Sequence, residues 1–457
     1  MTFSTQIFQW KCHPEAEALC LKFLEDACRS NSALASLQQN LLKQTSTRLF
    51  DWIDHLVIGH SDELEKALLT SGFAFESTTS EYRVFNHPGA QLPRIVMQDI
   101  ALLDQHHQVA GVAVTVEAIA DFLMVHGLSG WIEGSPFSPF RRCGFTTENG
   151  VTFWLIERRA TGTMEPTYYD SSFLERLFEA QELWQTRIRA PLEEEDALMK
   201  HTIAMASELV SLIGQDLAAW EVLHCERRYW QSKNHAGQVQ KARQDRLGMG
   251  WANHDHHTFR SSRRHFPQLV RLFEVLGFHC RERFWAGAEA GWGAQVMENP
   301  RCKLVLFLDV DLLPHEVEID FAHNQLPESD TLGTVGLWCA LHGDSILRSG
   351  MHHLEAQFLF EELTTDLSHQ GVHMMNPFSD FPYLKQAFTS AEIWMVDSQR
   401  IEELLHKKRI TDAQANKFKT EGAVGSHMEN LQRREGYKGF NQKNVSSIIE
   451  KTDPRRN

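Results

Sequence analysis

The stretch Asn253-His-Asp-His-His-Thr-Phe-Arg260 opens the part of the chain that decides the fold. Residues 251–259 have the pattern of a β-strand, and the apolar residues of 266–276 recur at helical spacing up to Gly277. Further strand patterns follow at 279–285, 291–297 and 304–310. This segment therefore predicts a strand, a helix and three strands, a βαβββ unit.

The same order of elements recurs elsewhere in the chain. One unit is predicted from the strand 52–58, the helix 62–69 and strands within 74–85 and 94–100. The next has strands at 109–116, 131–136, 140–146 and 151–158 and a helix at 116–126. A fourth runs from 334 to the end, with strands near 352–360, 391–396 and 425–432. Two such units that pair edge to edge would close a cupped mixed sheet around a cavity.

The predicted fold class is α+β, with tandem βαβββ modules, a helical N-terminus and a helical linker. The spacing of apolar residues predicts helices over 15–43 and again over 171–244. We therefore expect four parts along the chain. They are a helical leader (1–50), an N-terminal sheet domain (51–165), a helical linker (166–247) and a C-terminal sheet domain (248–457).

Composition narrows the class of protein. The 457 residues carry 45 Lys and Arg against 60 Asp and Glu, a formal charge of −15 that disfavours a nucleic-acid partner. No apolar run approaches the roughly 18 residues of a membrane span, and the N-terminus lacks the pattern of a secretion signal. The eight cysteines form no C-x-x-C pair. We expect a cytoplasmic enzyme; its oligomeric state stays open.

Histidines on the first strand of the third unit are the first candidate ligands. Alternation predicts that His254, His256 and Thr258 share one face while Asp255 and His257 point the other way. His256 also shares the parity of Arg260, which favours His256 over His257 as the residue that faces a cavity. A polar strand end with structural histidines explains the pattern about equally well.

Two later stretches add candidates, Met351-His-His-Leu-Glu355 and Gly425-Ser-His-Met-Glu429. A carboxylate buried on a strand needs a cation beside it, an arginine or a metal, whereas an exposed Glu429 would need none. Two imidazoles and one carboxylate leave open positions on a divalent ion, the arrangement of non-haem Fe(II) oxygenases. This combination therefore suggests a mononuclear metal site.

These stretches resemble the 2-oxoadipate dioxygenase/decarboxylase family, a branch of the vicinal-oxygen-chelate fold. The opening Asp255-His-His-Thr-Phe-Arg260 precedes a helix, Leu276-Gly-Phe278 and Val305-Leu-Phe-Leu-Asp-Val-Asp311. The closing Gly425-Ser-His-Met-Glu429 is followed by Arg433, Gly439-Phe440, Asn444 and 448–452. The resemblance covers about 248–457 and is patchy at 313–351 and 364–421.

The resemblance implies Fe(II) held by His256, His353 and Glu429. It also implies that Arg260 grips a substrate carboxylate and that Asn444 contacts the substrate. The implied reaction converts a 2-oxo acid and O2 into a 2-hydroxy acid and CO2. There are two departures from the family. Glu355 stands where members carry Thr or Ala, and the first motif follows a long leader rather than lying near the N-terminus.

Two other functions remain open from the sequence. A lyase or isomerase of the same superfamily would use the ion as a Lewis acid, and a binding protein would keep the fold without catalysis. The N-terminal domain resembles the same fold and has His55, Gln98 and Glu157 at strand positions. The sequence therefore leaves open a second metal site at His55 and Glu157. Loss of that site is at least as common a fate.

Overall fold

The computed structural model describes residues 10–98, 108–189, 194–288, 290–441 and 452–455. The chain opens with two helices, α1 (Pro14–Ser30) and α2 (Ser32–Thr45). Asn31 between them is fully buried, and its side chain accepts hydrogen bonds from the amides of Ala33 and Leu34 in the first turn of α2. The predicted helical N-terminus is confirmed.

Two modules, a βαβββ unit and a second that lacks one strand, build a seven-stranded N-terminal sheet. The elements are β1 (Ile53–Gly59), α3 (Asp62–Thr70), β2 (Ala74–Thr78), β3 (Tyr82–Asn86), β4 (Arg94–Gln98), β5 (Val109–Thr115), α4 (Ile119–Val125), β6 (Phe140–Glu148) and β7 (Val151–Arg158). The strand order is β2-β3-β4-β1-β5-β7-β6. The first strands of the two modules, β1 and β5, pair antiparallel, and each also pairs in parallel with the last strand of its own module.

One strand of the second module is not formed. Within residues 131–136 only Glu133 pairs, in a single bridge to Arg142. Gly134 adopts a positive φ of 97°, and Pro136 has no amide to give to a ladder, so the segment cannot continue as a strand. The sequence prediction of a strand here is wrong.

Four helices connect the two sheets. They are α5 (Ser171–Gln185), α6 (Glu195–Ile213), α7 (Gln215–Ser232) and α8 (His235–Asp245). Gly214, with a φ of 81°, makes the turn between α6 and α7. Buried side chains of these helices, Trp184 and Leu209 among them, share one hydrophobic core with Phe259 and Phe273 of the C-terminal part of the chain. The predicted helical linker is confirmed and is packed rather than extended.

Two further modules build the C-terminal sheet. The third has β8 (His254–Arg260), α9 (Phe266–Val275), β9 (His279–Trp285), β10 (Trp292–Asn299) and β11 (Leu304–Asp311). After α10 (Thr334–His342), the fourth has β12 (His353–Gln357), α11 (Phe360–Ser368), β13 (Ser379–Phe381), β14 (Leu384–Phe388), β15 (Glu392–Trp394), α12 (Ser398–His406), α13 (Asp412–Glu421) and β16 (Ala423–Arg433). The strand order is β13-β14-β16-β12-β8-β11-β10-β9, and β15 also pairs with β16.

Both sheets have the same centre. The order β4-β1-β5-β7 in one corresponds to β16-β12-β8-β11 in the other, with an antiparallel pair of first strands flanked by parallel last strands. The α+β fold of tandem βαβββ modules, of the vicinal-oxygen-chelate kind, is thus confirmed, whereas the domain bounds stay predictions. The sequence missed the short hairpin β13–β14, which begins after Pro377 and turns at Pro382.

Among the helices in the described parts of the chain, none has the length and apolar character to span a membrane.

Candidate metal centre

A β-bulge shapes the start of β8. His257 pairs with Leu354 and His254 pairs with Ala356, so the single residue Glu355 of β12 faces two residues of β8, Asp255 and His256. A bulge re-aims side chains and interrupts strict alternation. The prediction that His254 shares the face of His256 is therefore wrong: the His254 ring lies 5.3 Å from that of His257, while Asp255 lies beside His256.

Three adjacent strands bring together the side chains predicted as ligands. His256 on β8, His353 on β12 and Glu429 on β16 have donor atoms within 4.8 Å of one another. His353 Nε2 lies 2.9 Å from a carboxylate oxygen of Glu429, and all three residues are buried. Burial lowers the pKa of His256, which favours the neutral imidazole that a metal requires. The donor set is that of a 2-His-1-carboxylate site.

Glu355 joins this cluster from β12. It belongs to a second, overlapping group with Asp255 and His256, and one of its oxygens lies against His256 Nε2. Glu355 is fully buried, and neither oxygen accepts a well-formed hydrogen bond from the described chain. Burial, together with the charges of Glu429 and Asp255, raises its pKa well above the ordinary value. A divalent cation would give the oxygens of Glu355 a partner and offset the repulsion from Glu429 and Asp255. The residues present therefore fit a metal.

Other side chains orient and enclose the donors. Gln386 of β14 donates to the second oxygen of Glu429 at 3.1 Å, and His256 Nδ1 lies 3.3 Å from Asp255. Such contacts fix the direction of metal-binding groups. Aromatic rings wall the cluster: Phe307 and Phe440 pack on His256, and Phe388 packs on His353. Sequence reasoning missed Gln386 and Phe388 because it missed β14.

Arg260 lies on the same face of β8 as His256. It is 4% exposed, its Nε is 3.8 Å from Asp309, and its Nε and Nη1 have no hydrogen-bond partner in the described chain. Thr258 Oγ1 and His427 Nε2 nearby are also buried without a partner. Burial raises the pKa of Asp309 to about 6 against the effect of Arg260. Buried polar atoms left unpaired by the protein indicate a place for a polar ligand.

His257, the alternative that the sequence left open, points away from the donor cluster. It is fully buried, and its Nε2 accepts a hydrogen bond of 3.0 Å from Arg227 of α7. Of this histidine pair, His256 is therefore the one beside His353 and Glu429.

The N-terminal candidates do not meet in one cavity. His55 lines a cavity of about 230 Å³ with Gln98, and its Nδ1 lies 2.7 Å from Asp54. Glu157 follows the cavity-lining Ile156 on β7 and so faces the other way, where its carboxylate accepts the amide of Ile119 at 2.7 Å and pairs with two arginines. Among the described residues, no group of three or more clustered metal-binding side chains includes His55 or Glu157.

Asn444, the predicted substrate contact, lies outside the described residues. The role that the sequence assigns to it stays a prediction.

No protein-family model matches the chain, and no curated protein matches it. Among solved structures, it is similar to a variant of 4-hydroxymandelate synthase from Streptomyces coelicolor, at 11% identity over 89% of this chain and 98% of the other, with a TM-score of 0.29. It is also similar to methylmalonyl-CoA epimerase from Mycobacterium tuberculosis (10% identity, 40% and 89% covered, TM-score 0.23). A third is a glyoxalase I variant from Zea mays (9%, 56% and 68%, TM-score 0.19). The fold assignment rests on the strand order of the chain itself.

Proposed function

We propose that this chain is a non-haem Fe(II)-dependent dioxygenase/decarboxylase that converts a 2-oxo acid, of the 2-oxoadipate kind, and O2 into a 2-hydroxy acid and CO2. The observation that carries the proposal is the convergence of His256, His353 and Glu429 from three adjacent strands. These residues would hold the iron. When bound, the metal would supply O2 activation and polarise the 2-oxo group.

Arg260 would bind a carboxylate of the substrate. Its guanidinium has N–H groups without protein partners, and a planar fork pairs well with a carboxylate. Thr258 Oγ1 and His427 Nε2 would hydrogen-bond other oxygens of the substrate, since both are buried and unpartnered. The rings of Phe307, Phe388 and Phe440 would keep bulk water away from the reacting groups.

The proposal includes a cytoplasmic location. All eight cysteines are free thiols, which suits a reducing compartment. The partners would be small molecules, the 2-oxo acid and O2.

Gas stoichiometry tests the reaction. We expect the iron-loaded protein, given a panel of 2-oxo acids that includes 2-oxoadipate, to consume one O2 for each CO2 released. The variant H353A should do neither, because it lacks one ligand. An oxygen electrode and a CO2 assay measure both quantities. Release of CO2 without uptake of O2 would contradict the proposal.

Glu355 favours a second function, a metal-dependent lyase or isomerase. Glu355 would hold the ion as a further protein ligand beside His256, His353 and Glu429, which would leave less room at the ion for both a substrate and O2. When bound, the ion would then supply only the Lewis-acid chemistry that stabilises an enolate. The burial of Glu355 against His256 supports this alternative.

Anaerobic assays separate the two functions. The lyase or isomerase predicts turnover of a 2-oxo acid without O2 by protein loaded with Mn²⁺ or Zn²⁺, and its loss in E355A. The dioxygenase predicts no anaerobic turnover, whereas E355A keeps three ligands and should retain O2 uptake.

A further inference from the structure

A large cavity lies behind the metal-binding strand, where the two sheets meet the helices between them. Its volume is about 410 Å³, and its walls come from the start of α4, the end of β7, α7, α8 and the residues that enter β8. His254, on the side of β8 opposite the metal donors, lines it. A cavity of this size is comparable to sites for small molecules.

Arg227 of α7 contributes its charge to this cavity. It is 3% exposed, and its Nη1 donates to His257 Nε2 at 3.0 Å. Within the described parts of the chain, no carboxylate oxygen lies within 4.0 Å of its guanidinium nitrogens. Burial lowers the pKa of Arg227 to about 10, so the group is still charged at neutral pH. A buried charge without a partner is costly, which points to a partner that the chain does not supply.

The neighbouring cations already have partners. Arg158 pairs with Asp54 at 2.6 Å, Arg159 with Glu157 at 3.0 Å and Lys241 with Glu117 at 3.3 Å.

Two acidic groups on the walls, Glu117 and Glu221, act on Arg227 only at longer range, without a direct contact, and each has other partners. Glu221 accepts a hydrogen bond from Gln181 at 2.9 Å, and burial raises the pKa of its carboxyl. Asp121 is exposed. Glu117, besides its pairing with Lys241, accepts the amide of Trp251 at 3.0 Å. Among the buried cations of this cavity in the described chain, Arg227 is thus the one without a direct counter-charge.

We propose that this cavity binds a small organic anion, whose carboxylate or phosphate group pairs with Arg227. A guanidinium can present two parallel N–H donors to either group. The ring of Trp220 lies 5.5 Å from the guanidinium carbon and, with Trp251, forms an apolar wall for the body of the ligand. The site is independent of the metal centre, because it lies on the other side of β8 and uses none of its donors.

Calorimetric titration of the metal-free full chain tests the proposal, with succinate, glutarate and inorganic phosphate as probes. We expect at least one probe to bind once per chain and R227M to weaken that binding by about tenfold or more, the usual cost of truncating one partner of a buried charge pair. Tighter binding of phosphate would assign a phosphate-bearing ligand, and tighter binding of a dicarboxylate would assign a carboxylate.

Three variants control this measurement. R246M removes an exposed arginine at the end of α8 and should bind the probe as the wild type does. R260M should also bind it, since Arg260 belongs to the metal centre. A252L fills part of the cavity without removing a charge, so it should weaken binding even if R227M fails to fold. Absence of binding by the wild type, or equal binding by R227M or A252L, would overturn the proposal.

Discussion

The two sheets share one arrangement of strands but place different chemistry at its centre. In the C-terminal sheet, the central antiparallel pair carries His256 on β8 and His353 on β12, and β16 beside it adds Glu429. In the N-terminal sheet, β1 carries His55, but its partner β5 reads Val-Ala-Gly-Val-Ala-Val-Thr and supplies no ligand. The fold thus provides positions, and the residues at those positions decide whether a metal can bind.

The sheets also differ in how they treat buried charge. In the N-terminal sheet, acids are closed off by arginines: Asp54 pairs with Arg158, and Glu157 pairs with Arg141 and Arg159. In the C-terminal sheet, Arg433 likewise pairs with Asp255, but the oxygens of the buried Glu355 have no hydrogen-bond partner among the described residues, and Arg260 has unpaired N–H groups. Unpaired buried charge lowers stability, so its retention fits a site that completes itself with a metal and a substrate.

The metal content of the protein tests most directly whether the two sheets differ in metal binding. We expect the wild type to bind about one first-row metal ion per chain, and H256A, H353A and E429A to bind almost none, because each loses one of three ligands. Elemental analysis of protein loaded with Fe(II) without oxygen gives the ratio.

The matched control for this prediction is H55A, which changes the histidine of the N-terminal sheet. It should keep the full metal content. Loss of metal in H55A would mean that the metal binds in the N-terminal sheet rather than in the C-terminal sheet. A wild type that binds no metal would favour a binding protein that keeps the fold without catalysis.

Arg260 gives the next largest effect. R260M should lower kcat/KM for a 2-oxo acid by about 10²–10³, since truncating one partner of a buried charge pair costs 2–5 kcal/mol. R142M is the control: Arg142 lines the N-terminal cavity and pairs with Glu133, so its loss should leave kcat/KM unchanged. Steady-state kinetics measure both, and equal losses in the two variants would refute the role of Arg260.

Much of the fold could be predicted from the sequence, because long strands and helices carry periodic patterns. The first strand of each of the four modules follows from such patterns, whereas the parallel pairing within each module is seen only in the structure. The short strand β13 was missed, because its three residues are too few to show a period. The segment 131–136 was wrongly predicted as a strand, because Gly134 and Pro136 prevent its strand-like pattern from pairing.

The sequence predicted only those residues of the candidate site that belong to recognisable motifs. His256, His353 and Glu429 were found from the resemblance, and the structure brings them together. The bulge at Asp255 and His256 could not be found, because it depends on the register between β8 and β12, which are distant in sequence. The buried position of Glu355 depends on the same register.

Two buried carboxyl groups, Asp54 in the N-terminal sheet and Asp309 in the C-terminal sheet, should respond to acid in opposite directions, which is the smallest of the expected effects. Although burial opposes it, Arg158 holds the pKa of Asp54 well below its ordinary value. The pair therefore stabilises the fold above about pH 4, and this contribution is lost as the pH falls further. Burial instead raises the pKa of Asp309 to about 6. The folded chain then binds this proton more tightly than the unfolded chain does, and stability falls by about 3 kcal/mol as the pH rises from about 4 through 6.

Urea unfolding of the metal-free protein across this pH range measures both effects. D309N should abolish the fall between about pH 4 and 6, because asparagine does not titrate. D54N should leave that fall in place, flatten the loss below about pH 4 and lower the free energy of unfolding at neutral pH, since Arg158 loses its buried partner. If D54N and D309N changed the same part of the pH profile, Asp54 and Asp309 would not differ in the way that their surroundings indicate.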